Sequence, residues 1–444
     1  MTSPSTVRGD ERRGSVILAS VVFLVAVAWN SWRLSTPSMW ADEISTTQNT
    51  AEGFAGIVDV VRRIDAVMAP YYVGIEAWTS VFGTSDAAFR FPSVLAMGVA
   101  ASATVLLARK YVDTVGAVLA GVLVIAAPAM TRYAQEARVY AFVVAAVVLS
   151  TLLLHEAAER RNRRWWSAYA VVLASVGVGH LVGLMIVAAH VLFAIGRGVR
   201  ASTLIAACAP AVIIGSALAV IGHTQSAAID WIPKGGPARL QYAEMILLGG
   251  KFAAVLIVVS CAAFALWTLT DPTRRRTDAW LLVPLVAPLL LWLVGHVTHI
   301  FSSRYVVWVV PFHVLAAVVV WRRAGKPFAA VASIVLMVTW IPLQLDVRSP
   351  DGHLVAYRDA ARFLDETVKD GDVVRSAEVA TQLSVDRYSS RLRAETCSAT
   401  GAVTWELVRS DRVDISKTCF PDLEPKSTVK FRGLWIAVYE SAAG

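Results

Sequence analysis

Charged residues are scarce. They make up 17 % of the 444 residues, against about 25 % in an ordinary soluble chain. Long stretches between residues 15 and 345 carry almost none. That excludes a water-facing surface over most of the chain and makes a bilayer its natural solvent. Cysteine is scarce as well: there are four, with no paired CxxC among them. Also missing are a Gly-rich phosphate loop, a workable Ser/His/Asp order, a solenoid-type repeat and a low-complexity segment. The net charge of +8 gives no nucleic-acid surface, because the basic residues fall in short clusters between apolar runs. No small-x-small cleavage site follows the first apolar run, Ser15 to Trp32, so the run reads as an uncleaved first membrane helix.

What is present is a series of apolar segments near the roughly 20 residues that a span needs. They cover about 15–33, 88–108, 112–130, 138–157, 165–180, 181–196, 202–222, 244–268, 279–297, 305–321 and 327–345. Lys and Arg accumulate on the cytoplasmic side of a membrane. The clusters are Arg8/Arg12/Arg13, Arg109/Lys110, Arg160/Arg161/Arg163/Arg164, Arg197/Arg200, Arg274/Arg275/Arg276 and Arg322/Arg323/Lys326. Placing all six inside requires 165–196 to cross twice, as a hairpin turning near His180. The expectation is a mainly α, polytopic plasma-membrane protein of about eleven spans, N-terminus cytoplasmic and C-terminus outside.

On this threading the polar strings fall outside and the cytoplasmic loops are too short for a nucleotide-binding domain. Nucleotide-activated substrates would not reach an outer site, whereas an activated group carried on a membrane lipid would. The first outer loop holds "AEGFAGIVDVVRRID", with Phe54, Ile57, Val58, Val61 and Ile64 on one helical face, and then the amphipathic "YYVGIEAWTSVFG". Both read as helices lying in the membrane interface or on the loop's surface. The chain divides into a transmembrane domain, 1–345, and a small extracytoplasmic α/β domain, 346–444. In the latter "YRDAARFLDETVKDG" reads as a helix ended by Gly371, and "DVVRSA" and "LWIAVYE" read as strands. Cys397 and Cys419 lie there, in an oxidising compartment, and are expected to pair.

Candidate chemistry begins with Asp42 and Glu43 in "SMWADEIST", an acidic pair just past the first span. Such a pair is either solvated, capping a helix that begins near Ile44, or employed. "RYAQEARVYA" supplies Arg132, Tyr133, Gln135, Glu136, Arg138 and Tyr140 at the outer start of a span. Arg138 is suited to bidentate phosphate capture; the alternatives are pairing with Glu136 or snorkelling. Asp65 precedes Pro70, Tyr71 and Tyr72, and Arg304 opens another span. His180 lies at the outer turn of the hairpin. His190 lies within the membrane and reads as a helix–helix hydrogen bond. His296 and His299 have metal-pair spacing or form a polar helix end.

The order "WADE", "DAVMAPYY", "VFGTSDAAFRFPSVLA", "RYAQEARVYA", "SRYVV" resembles the GT-C superfamily of membrane glycosyltransferases over roughly residues 15–345. The likeness is nearest to actinobacterial mannosyltransferase-like members of the protein O-mannosyltransferase and aminoarabinose-transferase clan. It implies inverting transfer of a sugar, mannose or arabinose, from a polyprenyl-phosphate donor. The acceptor would be a hydroxyl on a cell-envelope glycan, lipoglycan or protein at the extracytoplasmic face. By the resemblance Asp42 is the catalytic base with Glu43 beside it, and Asp65 is the second loop acid. Arg138 meets the donor phosphate, joined by Arg304. Tyr71, Tyr72, Tyr133, Gln135, Glu136 and His180 are the candidate substrate contacts. Two departures stand out: Met68 where relatives often carry His, and Val139 where Pro is common. No cofactor is implied with certainty; two outer acids could hold a divalent cation. The alternative reading is a transporter or flippase for lipid-linked sugar, against which stand the missing internal repeat and the clustering of polar strings at outer helix ends.

Overall fold

The computed structural model describes residues 4–63, 65–225, 232, 234, 236–390, 397, 403–409, 418–420 and 423–440. It is mainly helical, with one small sheet near the C-terminus. Two compact units divide the chain. The first comprises Met1–Trp32, Glu52–Thr84 and Ala88–Gln344; the second comprises Arg33–Ala51, Ser85–Ala87 and Leu345–Gly444. The second unit thus takes in two pieces of the first half of the sequence besides residues 346–444.

In the first unit every one of the expected apolar segments is helical. Among the described residues seven helices are long and apolar enough to cross a membrane: Arg13–Ser31, Asp86–Ala108, Tyr140–Arg160, Ala201–Thr224, Lys251–Thr270, Ser303–Ala324 and Lys326–Val347. An eighth is Thr114–Ala126 continuing into Pro128–Ala134 across a 59° bend. Arg163–Gly179, Leu181–Gly196 and Ala279–Val294 are shorter. By length alone the described residues therefore offer seven or eight spans, where the sequence reading expects about eleven.

The breaks have local causes. Pro128 lacks an amide hydrogen and its ring pushes Ala127 into extended backbone (φ −65°, ψ 126°), which ends the helix before it. His180 is also extended (φ −163°, ψ 125°) and separates the two arms of the expected hairpin. The span expected from residue 244 starts instead at Lys251. Gly249 and Gly250 (φ 80° and 98°) cut it from the helix Pro237–Leu248, using the left-handed region that glycine enters without penalty. In Ser303–Ala324 and Tyr140–Arg160, 83 % and 72 % of the apolar window is buried, against 17 % in Arg13–Ser31. The polar strings at Arg138 and Arg304 therefore precede or open the two most enclosed helices. His190 bridges helices, with Nε2 3.0 Å from Thr151 Oγ1 and Nδ1 3.1 Å from the Tyr169 hydroxyl.

The second unit holds a four-stranded sheet: β1 Val373–Ser376, β2 Val403–Arg409, β3 Ser427–Phe431 and β4 Leu434–Glu440, in the order β1-β2-β4-β3. β1 and β2 are parallel; the other pairs are antiparallel. The helix Tyr357–Thr367 presents Tyr357, Ala360, Ala361 and Leu364, one helical face, to a core with Trp405, Leu407 and Ile436. It ends at Thr367, before the expected stop; Gly371 (φ 95°) serves the turn into β1.

Cys397 and Cys419 are disulfide-bonded, 22 residues apart in sequence. Each half is tied to a buried pair of facing residues on β1 and β2. Arg375 Nη1 donates to the Cys397 carbonyl at 3.0 Å, and the Cys419 amide donates to Glu406 Oε1. Burial pushes the Glu406 carboxyl above its ordinary range. Closing a loop of this length is worth about 3 kcal/mol in the chain-entropy account. Reducing the bond, or substituting Cys397→Ser with Cys419→Ser, should therefore speed amide exchange in β1 and β2 by about 100-fold in the full-length protein. Unchanged exchange would show that the strands do not depend on the bridge.

Candidate active site

The acidic pair belongs to the second unit. The helix Ala41–Thr50 begins three residues earlier than the sequence suggested, so Asp42 lies inside its first turn and does not cap it. Carboxylates are favoured there by the helix dipole. The neighbouring acids have different environments. Asp42 is half-buried, whereas Glu43 is fully buried. Glu43 Oε2 accepts from the Trp40 amide at 3.4 Å and lies 3.3 Å from Nδ1 of His353, also fully buried. The segment leading into the helix is fastened to the tail. The Ser38 amide donates to the Pro350 carbonyl at 2.8 Å, and the Met39 amide donates to the Tyr388 hydroxyl at 2.7 Å. Tyr388 in turn donates to Asp86 (2.7 Å), which also receives Arg358 (3.0 Å) and both Nε and Nη2 of Arg387 (3.0 and 2.7 Å). Tail residues hundreds of positions away thus fix where "WADE" stands. His353, Tyr388, Asp86, Arg358 and Arg387 went unnoticed in the sequence, and nothing local to them signals the role.

The remaining candidates belong to the first unit. Tyr72 is fully buried and its hydroxyl donates to Asp65 Oδ2 at 2.6 Å; Arg138 Nη1 lies 3.5 Å from the same hydroxyl. The loop bearing Asp65 is pinned by Gln225, whose side chain accepts from the Ala66 amide (2.8 Å) and donates to the Val61 carbonyl (3.1 Å). Arg138 stands before the N-cap of Tyr140–Arg160, not within its first turn as expected. Around His180 the rings of Tyr305 (4.5 Å between centroids) and Tyr140 (6.2 Å) gather, and Tyr133 packs edge-on against Tyr140 at 5.4 Å. Arg304 is buried, 5.9 Å from the centroid of the Tyr305 ring. Because the Val182 amide donates to His180 Nδ1 (3.3 Å), the ring's hydrogen in its neutral form is on Nε2, which makes that atom a donor. Tyr71 is buried edge-on against Phe142 at 6.0 Å.

Two of the candidates are committed to the scaffold. The Gln135 amide donates to the carbonyls of Asn30 and Trp32, both at 2.8 Å, and so holds the end of the first helix. Glu136 is buried and paired with Arg132 at 2.5 Å, while its carbonyl accepts from Ser93 at 2.7 Å. Pairing of Glu136 with an arginine was an alternative left open for this string, and Arg132 is such a partner. His296 and His299 each point Nδ1 at a backbone carbonyl, of Trp292 (2.9 Å) and Ile232 (2.5 Å). Among the described residues no three His, Cys, Asp or Glu side chains gather as a metal centre.

Residues 66–223 match the family model of dolichyl-phosphate-mannose-protein mannosyltransferase. No curated protein matches by sequence. The fold is similar from end to end to the crystal structure of ArnT from Cupriavidus metallidurans bound to undecaprenyl phosphate. The TM-score is 0.57 at 12 % identity, covering 97 % of this chain and 98 % of that one. The same protein in its apo state gives 0.56 at 12 % identity, covering 96 % and 98 %. The chain thus has a fold like that of ArnT, and its residues 66–223 resemble the dolichyl-phosphate-mannose-protein mannosyltransferases.

Proposed function

We propose that the protein transfers a sugar from a polyprenyl-phosphate donor to an acceptor hydroxyl at the extracytoplasmic face of the plasma membrane, with inversion at the anomeric carbon. The observation that carries this reading is Arg304 beside Tyr305, whose ring packs with Tyr140 around His180, and Arg138 just ahead of the helix that Tyr140 begins. Two guanidinium groups of which one is buried suit a lipid phosphate, and Tyr133, Tyr140 and Tyr305 offer faces to a sugar or prenyl chain. The similar ArnT structure holds undecaprenyl phosphate, a ligand of the class proposed. The distribution of the basic clusters supports a cytoplasmic N-terminus and an outer tail.

The roles then divide. Arg138 and Arg304 hold the phosphate and take up the charge that develops on it as the leaving group. The acceptor oxygen attacks the anomeric carbon; its proton passes to the Asp42 carboxylate; the bond from that carbon to the phosphate oxygen breaks, and polyprenyl phosphate departs with the electron pair. Asp65 orients Arg138 through Tyr72, and His180 donates to donor oxygens. Glu43 supports Asp42 from a buried position. Mannose and arabinose are the sugars proposed, and a cell-envelope glycan, lipoglycan or protein is the acceptor. Purified protein given radiolabelled polyprenyl-phosphate sugar, with acceptor, should move label to the acceptor and release polyprenyl phosphate in equal amount. Transbilayer movement of the labelled lipid with no transfer would replace the enzyme by a flippase.

A further inference from the structure

At one end of the first unit's bundle, the ends of four helices surround a cavity of about 290 Å³, near the lower limit of roughly 300–1,000 Å³ for small-ligand sites. Three arginines line it, Arg161, Arg197 and Arg200, with the Trp166 indole and Thr203. The acids of this corner are already used: Glu156 pairs with Lys110 (2.8 Å) and Arg160 (2.7 Å), and Glu159 with Lys110 (3.0 Å). Among the described residues none of the three lining arginines takes part in an ion pair.

Two of these arginines stand where their own backbone disfavours them. Arg161 ends the helix Tyr140–Arg160 in the left-handed conformation (φ 50°), which is strained for a non-glycine residue and is the usual place for glycine. Arg200 is the N-cap of Ala201–Thr224, with no side-chain cap for the amides of the first turn. A cation there opposes the helix dipole, and arginine has no acceptor to offer. The neighbouring helix Arg163–Gly179 shows the ordinary solution, Asn162 accepting from the Trp165 amide at 3.2 Å. Uncapped amides and three cations around one cavity are complementary to an anion. The helices that end here include two long apolar ones, 140–160 and 201–224, and Trp166 is half-buried beside them, as interfacial tryptophans are.

We propose that this cavity binds the phosphate of an anionic phospholipid headgroup in the leaflet facing the basic loops. The guanidinium groups take the phosphate oxygens and the amides at the start of Ala201–Thr224 complete the site. The proposal stands on the membrane reading and is independent of the transfer reaction.

The test uses the full-length protein, delipidated in a neutral detergent, with radiolabelled phosphatidylglycerol and phosphatidylcholine as probes. Phosphatidylglycerol should be retained at least 10-fold more strongly. The double variant Arg161→Gly with Arg200→Ser relieves the backbone and restores a cap, so its lipid-free melting temperature should equal or exceed that of the wild type while the preference falls to within about 2-fold. Equal retention of the two lipids by the wild type would overturn the proposal, as would a preference that survives in a folded double variant. Displacement of phosphatidylglycerol by millimolar inorganic phosphate would overturn the headgroup assignment in favour of a soluble phosphate.

Discussion

Replacing Asp42 by asparagine is expected to lower sugar transfer by about 10²–10⁴-fold in kcat, the range that a positioned general base supplies, with the protein still folded. Asparagine has the shape of aspartate and cannot take the acceptor's proton. The helix Ala41–Thr50 loses one favourable charge in its first turn, a cost of about 0.3–1 kcal/mol. Its anchors, from Ser38 to Pro350 and from Met39 to Tyr388, do not involve the Asp42 side chain. Glu43→Gln behaves differently. That carboxylate is fully buried between the Trp40 amide and His353, so its loss acts through the placement of the helix and lowers stability together with rate. Transfer measured beside the melting temperature separates the two acids. An Asp42→Asn protein that retains within a few-fold of the wild-type kcat would remove Asp42 as the base.

The legible parts of this molecule are those whose cause is local. An apolar run declares itself within about 20 residues, and every such run in the sequence is helical in the structure. Helix ends were read less well, because they depend on single backbone conformations. Ala127 before Pro128, the pair Gly249 and Gly250, and extended His180 shorten or bend segments that hydropathy alone draws as continuous. The same limit shifted Arg138 out of the helix it was expected to begin. In the tail, β1 and β4 were visible as apolar runs. β2 was hidden because it buries Glu406 opposite Arg375, and β3 because most of its residues face water. The support of "WADE" was illegible for another reason: His353 and Tyr388 lie more than 300 residues from the groups they meet, and no periodicity spans that distance. What the sequence did contain was the residue types that the proposed chemistry calls for, an acid pair after the first span and arginines ahead of or opening two later ones.

Arg138 should govern donor affinity. Its guanidinium stands in the break before Tyr140–Arg160 and shares the Tyr72 hydroxyl with Asp65, an arrangement that fixes the fork's direction before donor arrives. A hydrogen bond to a charged group is worth about 1.5–3 kcal/mol, so Arg138→Ala should raise the donor KM by roughly 10–100-fold. Arg138→Lys keeps the charge and loses the planar fork, and should recover only part of that affinity. Tyr72→Phe keeps the ring in its buried place and removes the hydroxyl that links Arg138 to Asp65. If Asp65 acts through that link, Tyr72→Phe should weaken donor binding several-fold in the wild-type background and hardly at all once Arg138 is alanine. A double-mutant cycle on donor KM reads this directly, and a coupling near zero would leave Tyr72 and Asp65 as scaffold. Donor affinity unchanged in both Arg138→Ala and Arg138→Lys would take the phosphate away from Arg138 altogether, leaving buried Arg304 as the cation to test next.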